Sequence, residues 1–157
     1  MRIWIVRFTA APNNIGEGGI FCVFENNIDV SGNEVDNIIR TASPDSYGIN
    51  LGFGVSSGIA TITAGIVDGM GNATVTFNKI GAIVNSGTFA AAGIALTNTL
   101  AGTTQTISNN TISGLSSNGT ASDFGVGIWL DGGTGTVNGP NSVLPPGVFP
   151  GGNPRVR

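Results

Sequence analysis

The chain has 157 residues, 40% of them hydrophobic, with 26 Gly and 17 Asn, and a formal net charge of −3 from nine acidic and six basic residues. That hydrophobic share is too high for a disordered chain, and the scattered basic residues leave no electrostatic footprint for nucleic acid. Histidine is absent, which removes Ser-His-Asp triads, Cys-His pairs and the ordinary zinc sites.

From the start of the chain, Met1 to Ala11 carries Trp4 with alternating Ile3, Ile5 and Arg7 and reads as a first strand. Arg7 stops the apolar run that begins at Ile3, short of a secretory h-region, and no later run is long enough for a membrane helix. Cys22, the single cysteine, cannot form an internal disulfide and reads as a small strand residue rather than a nucleophile. Then a repeat begins. Val30-Ser31-Gly32-Asn33-Glu34-Val35 is echoed by Val75-Thr76-Phe77-Asn78-Lys79-Ile80, by Ile107-Ser108-Asn109-Asn110-Thr111-Ile112 and, less closely, by Val137-Asn138-Gly139-Pro140-Asn141-Ser142-Val143. Each copy predicts strand, tight turn, strand, with Asn supplying the left-handed conformation of the turn. The four Asn are 45, 32 and 31 residues apart.

A second repeat follows the first in register. Gly48-Ile49-Asn50-Leu51, Gly93-Ile94-Ala95-Leu96 and Gly127-Ile128-Trp129-Leu130 begin 15, 15 and 17 residues after Asn33, Asn78 and Asn110. Each repeat is therefore expected to hold three strands, one entering the Asn turn, one leaving it and the Gly-Ile-x-Leu strand. Self-similarity at this period marks stacked units that cannot bury an apolar face alone. Ala60 to Ile66 alternates as a strand does and is expected to form an insertion within the long repeat. Pro140 to Arg157 holds five of the seven prolines, a density no regular strand tolerates. The domain reading is a repeat domain over 1–143 and a Pro/Gly-rich tail or linker over 144–157. Weak caps imply a fragment of a longer solenoid, or association with further coils or end to end with a second copy.

The spacing resembles the right-handed parallel β-helix repeats of the pectin-lyase-like superfamily, over about residues 20 to 143. The resemblance implies an all-β, right-handed, single-stranded parallel β-helix of about four coils. It also implies that Asn33, Asn78, Asn110 and Asn141 stack as a ladder, each amide bonded to backbone or to the next amide. Members of that superfamily include polysaccharide lyases, glycoside hydrolases, adhesins and surface repeats, so the fold alone does not fix an activity. Its lyases combine Asp clusters for Ca²⁺ with an Arg or Lys base, whereas the middle repeats here offer only Lys79 among small neutral residues.

Two groups of residues are candidate sites. Glu25, Asp29, Glu34 and Asp36 crowd one repeat, and Asp29, Glu34 and Asp36 could supply oxygen ligands to Ca²⁺. The alternative is a solvated acidic edge, with Glu34 paired to Lys79 at the equivalent place one repeat on. In Gly-Ile-x-Leu the Ile and Leu are expected to face inward, leaving Asn50, Ala95 and Trp129 as one exposed column. Trp129 with Asp131 and Asp123 would then offer a plate and carboxylates to a sugar, unless the tail covers Trp129 through Val148 or Phe149. The same two Asp could be a paired-carboxylate hydrolase centre.

Five Thr-x-Thr pairs begin at Thr61, Thr74, Thr97, Thr104 and Thr134; their offsets of 13, 23, 7 and 30 are too irregular for one flat ice-binding array. The expected function is a non-catalytic repeat segment, structural or adhesive, with a glycan as partner and without a cofactor unless Ca²⁺. A polysaccharide-degrading fragment and an ice-binding solenoid are the alternatives. Low charge and abundant Asn, Thr and Gly point to an extracellular or cell-surface location.

Overall fold

The computed structural model describes residues 18–22, 25–41, 45–52, 70–97, 102–118, 125–131, 135–137, 141–143 and 155–156, and among them every regular element is a strand. In chain order these are β1 (Gly18–Cys22), β2 (Ile28–Ser31), β3 (Glu34–Val35), β4 (Ile38–Arg40), β5 (Ser46–Leu51), β6 (Ala73–Thr76), β7 (Lys79–Ile80) and β8 (Ile83–Asn85). They continue as β9 (Ala91–Thr97), β10 (Gln105–Ser108), β11 (Thr111–Ile112), β12 (Leu115–Ser117), β13 (Gly125–Asp131), β14 (Gly135–Val137), β15 (Ser142–Val143) and β16 (Arg155–Val156). No helix of the described residues is long and apolar enough to cross a membrane.

Among the described residues all pairings are parallel, and they build four sheets. Sheet I has the order β1-β5-β9-β13-β16, sheet II β14-β10-β6-β2, sheet III β15-β11-β7-β3 and sheet IV β12-β8-β4. Each strand thus pairs with its counterpart in the adjoining repeat, as in a β-solenoid. Register converts the sequence repeat into vertical columns of side chains. Val30, Val75 and Ile107 form one inward column, Val35, Ile80 and Ile112 a second, Ile38, Ile83 and Leu115 a third, and Ile49, Ile94 and Ile128 a fourth. None of these side chains is more than 3% exposed, and together they form one continuous core. Each such burial contributes about 1.5–3 kcal/mol, which short strands need because none is stable alone.

The expected three strands per repeat prove to be four. The segment leaving the Asn turn bends between sheets III and IV, where Asn37, Ala82 and Gly114 take φ of 60°, 47° and 64°. A left-handed residue turns the chain sharply, and only two residues remain in each sheet III strand. The Asn turn departs from expectation too. Its left-handed residues are Gly32, Phe77 and Asn109, each just before the repeated Asn, with φ of 67°, 56° and 56°. The repeated Asn is therefore kept for its amide and not for its backbone.

Gly93 shows why the Gly-Ile-x-Leu strands begin with glycine. A Cβ there would lie 2.5 Å from Ile112 Cγ2 and 2.7 Å from the Gly127 carbonyl oxygen. Backbone and core side chain both occupy the space, so the close stacking of sheet I on its neighbours requires the missing side chain. The expected first strand at Met1 to Ala11, the insertion at Ala60 to Ile66 and residues 144–154 of the tail lie outside the described residues. Arg155–Val156 of that tail pairs with β13 as an edge of sheet I.

Candidate functional site

The repeated asparagines form a directional chain of hydrogen bonds along the corner between sheets II and III. Asn33 donates from its backbone N–H and its Nδ2 to Asn78 Oδ1, both at 3.0 Å. Asn78 does the same to Asn110 Oδ1 at 3.0 and 2.9 Å, and Asn110 to Asn141 Oδ1 at 3.1 Å. The second Nδ2 hydrogen of Asn78, Asn110 and Asn141 goes back to the carbonyl of Val30, Val75 and Ile107. An amide has two donors and an acceptor with two lone pairs, so Asn78 and Asn110 are saturated. That leaves them nothing with which to hold a ligand.

A parallel set of bonds runs at the entrance to sheet II. Asn72 donates from its backbone N–H to Asn26 Oδ1 at 2.9 Å and from Nδ2 to Asn27 Oδ1 at 3.1 Å, and its own Oδ1 accepts the Thr104 N–H at 2.9 Å. The sequence signal for it was present, because these partners are 45 and 32 residues apart, the spacing of the Asn stack itself. These residues frame an open recess of about 290 Å³ on the outer surface of sheet II, lined by Asn27, Asp29, Asn72, Thr74, Thr104 and Thr106 among others.

Beyond the recess, the outward face of sheet II is a grid of small polar groups. Asp29, Thr74 and Thr106 share one column, with Thr136 next in register, and Ser31, Thr76 and Ser108 share another. Alternation brings this about, since Ile28, Val30, Ala73, Val75, Gln105 and Ile107 occupy the inward positions between them. None of the Ser and Thr hydroxyls of these two columns at positions 31, 74, 76, 106 and 108, nor the Asp29 carboxylate, has a hydrogen-bond partner among the described residues. A surface of unspent hydroxyls, one carboxylate and amides can bind a hydroxyl-rich ligand in many registers.

The column Asn50–Ala95–Trp129 exists in register but is not exposed. Asn50 is 1% and Ala95 0% exposed, and Trp129 is half-buried against a cluster containing Tyr47, Ala92 and Ala95 with Phe21 and Val126 at its margins. Phe21 and Tyr47 meet edge to face, ring centroids 6.0 Å apart. Alternation tells which residues leave the core, not whether the face they enter is open. Asp131 ends β13, with its side chain outside the described residues, and Asp123 lies outside them altogether.

The acidic group of the first repeat is spread rather than gathered. Among the described residues no set of three His, Cys, Asp or Glu side chains could hold a metal ion. Asp29 projects from sheet II, while Glu34 belongs to sheet III and pairs with Lys79 Nζ at 3.0 Å. Asp36 caps its own turn by accepting the Asn37 N–H at 2.9 Å. Asp29, Glu34 and Asp36 stand on separate segments, because the turn between β2 and β3 parts Asp29 from Glu34, and Asp36 lies between β3 and β4. At Cys22, burial first and the Glu25 carboxylate second push the thiol pKa up, which holds it protonated and poorly nucleophilic.

No protein-family model matches this chain, no curated protein matches it, and no solved structure matches it.

Proposed function

We propose that the chain is a non-catalytic β-solenoid segment of a surface or secreted protein, wound right-handed in about four coils as in the pectin-lyase-like superfamily. Its role is structural and adhesive, and it binds neutral glycans on the outward face of sheet II. The observation that carries this reading is the alignment of Thr74 with Thr106 and of Ser31 with Thr76 and Ser108 beside the recess, on a face whose hydroxyls are unspent. Sugars are recognised by such groups, and a repeating polymer suits a repeating surface. Among the described residues, Asp29 is the one carboxylate lining the recess, whereas glycoside hydrolysis ordinarily needs two.

A glycan array probed with wild type, with a Thr74→Val/Thr106→Val double variant and with Trp129→Ala tests the reading. Loss of signal in the double variant alone is the expected result. Loss in Trp129→Ala alone would move the site to sheet I, and equal signal from all three would remove both sites. Product release from polyuronides or neutral glycans would overturn the non-catalytic assignment.

Ice binding is the second reading, favoured by the Thr74–Thr106–Thr136 register. Only the first Thr of one pair and the second of two others come into register, since Thr76 lies beside Ser108 and Thr97 belongs to sheet I. Asp29 and the serines interrupt the threonine grid, so glycan binding ranks first. Ice recrystallisation left unchanged by the protein would dismiss ice binding.

A further inference from the structure

Phe77 is the residue the fold explains least. It is 67% exposed, the most exposed large apolar side chain among the described residues, and its φ is 56°. The two residues at the equivalent turn in adjoining repeats are Gly32 and Asn109, which suit the left-handed conformation; a bulky aromatic ring does not. Burial gives nothing back here, since the ring stands in solvent at the end of β6, and Thr76 beside it belongs to the hydroxyl grid of sheet II. A strained backbone that presents an exposed aromatic is an outlier from which a contact can be argued.

The geometry points to Phe77 as a stacking plate for a neutral polysaccharide, an inference that rests on the glycan-binding reading above and gives its binding surface an apolar anchor. A pyranose ring has an apolar C–H face and polar edges, so it needs an aromatic plate flanked by hydroxyls and amides. Phe77 has Thr76 beside it and Ser31, Ser108 and Asn109 in the adjoining repeats. It lies three residues past Thr74, roughly 10 Å along the strand from the recess. An extended oligosaccharide laid along the strands reaches both. Lys79, two residues on from Phe77, is paired with Glu34 at 3.0 Å, which favours an uncharged polymer. A protein partner is disfavoured because Phe77 and Ile39 are the only exposed large apolar side chains among the described residues, an area far below what a stable protein interface buries.

The test uses Phe77→Asn, which installs the side chain found at the equivalent turn, and Phe77→Gly as its companion. Calorimetric titration with hexasaccharides of cellulose, xylan and chitin should give binding of at least one by the wild type and about tenfold weaker binding by both variants. Both variants should also melt higher, by roughly 2–5 °C, because strain is relieved and little burial is lost. Unchanged binding in the variants overturns the plate while leaving the glycan reading standing. Lower melting in both overturns it by making the ring structural. Concentration-dependent dimers that vanish in Phe77→Asn would assign the ring to a protein contact and overturn it as well. Wild type that binds none of the three sugars removes the plate and the glycan reading together.

Discussion

Sheets I and II are neighbours in every repeat, are built by the same parallel register and bury the same kind of aliphatic side chain inward, yet their outward faces are opposites. Sheet I turns out Tyr47, Asn50, Ala92, Ala95 and Trp129, of which the first four are buried; sheet II turns out Asp29, Thr74, Thr76 and Thr106, which reach solvent. The contrast teaches that a solenoid strand has two apolar patterns to satisfy. Inward positions are dictated by the coil, while outward positions declare what the coil lies against. Phe21, Tyr47 and Ala92 already carried that declaration for sheet I, because a solvated strand would spend those positions on polar residues.

A charge placed on each face gives the widest separation. Ala95→Asp should cost about 3–5 kcal/mol, since a carboxylate enters a site with no exposure and no cation, whereas Thr106→Asp should stay within about 0.5 kcal/mol. Urea denaturation of the two variants measures the difference, and equal losses would erase the distinction between the faces. The Asn stack supplies an internal standard that belongs to neither face. Asn78→Ala strands the Asn33 N–H and Nδ2 and the Val30 carbonyl, and should cost roughly 3 kcal/mol. Asn33→Ala should cost only about 1 kcal/mol, because Asn33 Oδ1 accepts no bond among the described residues. Smallest of all is Lys79→Ala: its pair with Glu34 has side chains 71% and 47% exposed, so the change should fall within about 0.5 kcal/mol and shrink further in salt.

Much of the architecture was legible because the coil is a linear code. Asn33, Asn78, Asn110 and Asn141 could be aligned from spacing alone, and the Lys79–Glu34 pair followed from their equivalent positions. The fourth sheet was not legible. Asn37, Ala82 and Gly114 share a left-handed backbone but no side-chain chemistry, so nothing in their letters announces a common bend. The candidate surface was half visible. Thr-x-Thr pairs could be counted, but they do not align as pairs: Thr74 lies beside Thr106, Thr76 beside Ser108, and Thr97 belongs to sheet I. Trp129 drew attention as the largest outward side chain, yet its neighbours Ala92 and Ala95 decide its environment, and they look like ordinary strand filler.

Because every amide in the corner stack points the same way, each bond polarises the next, and the dipoles add along the row. Growth by duplication then becomes chemically simple. A copied stretch from Asn78 to Asn109 would arrive with its own acceptor for the side chain before it and its own donors for the one after it. Lengths of this protein differing by whole repeats should consequently all fold, while a deletion that leaves half a repeat would carry the next Asn off the corner and leave the preceding Nδ2 without its acceptor.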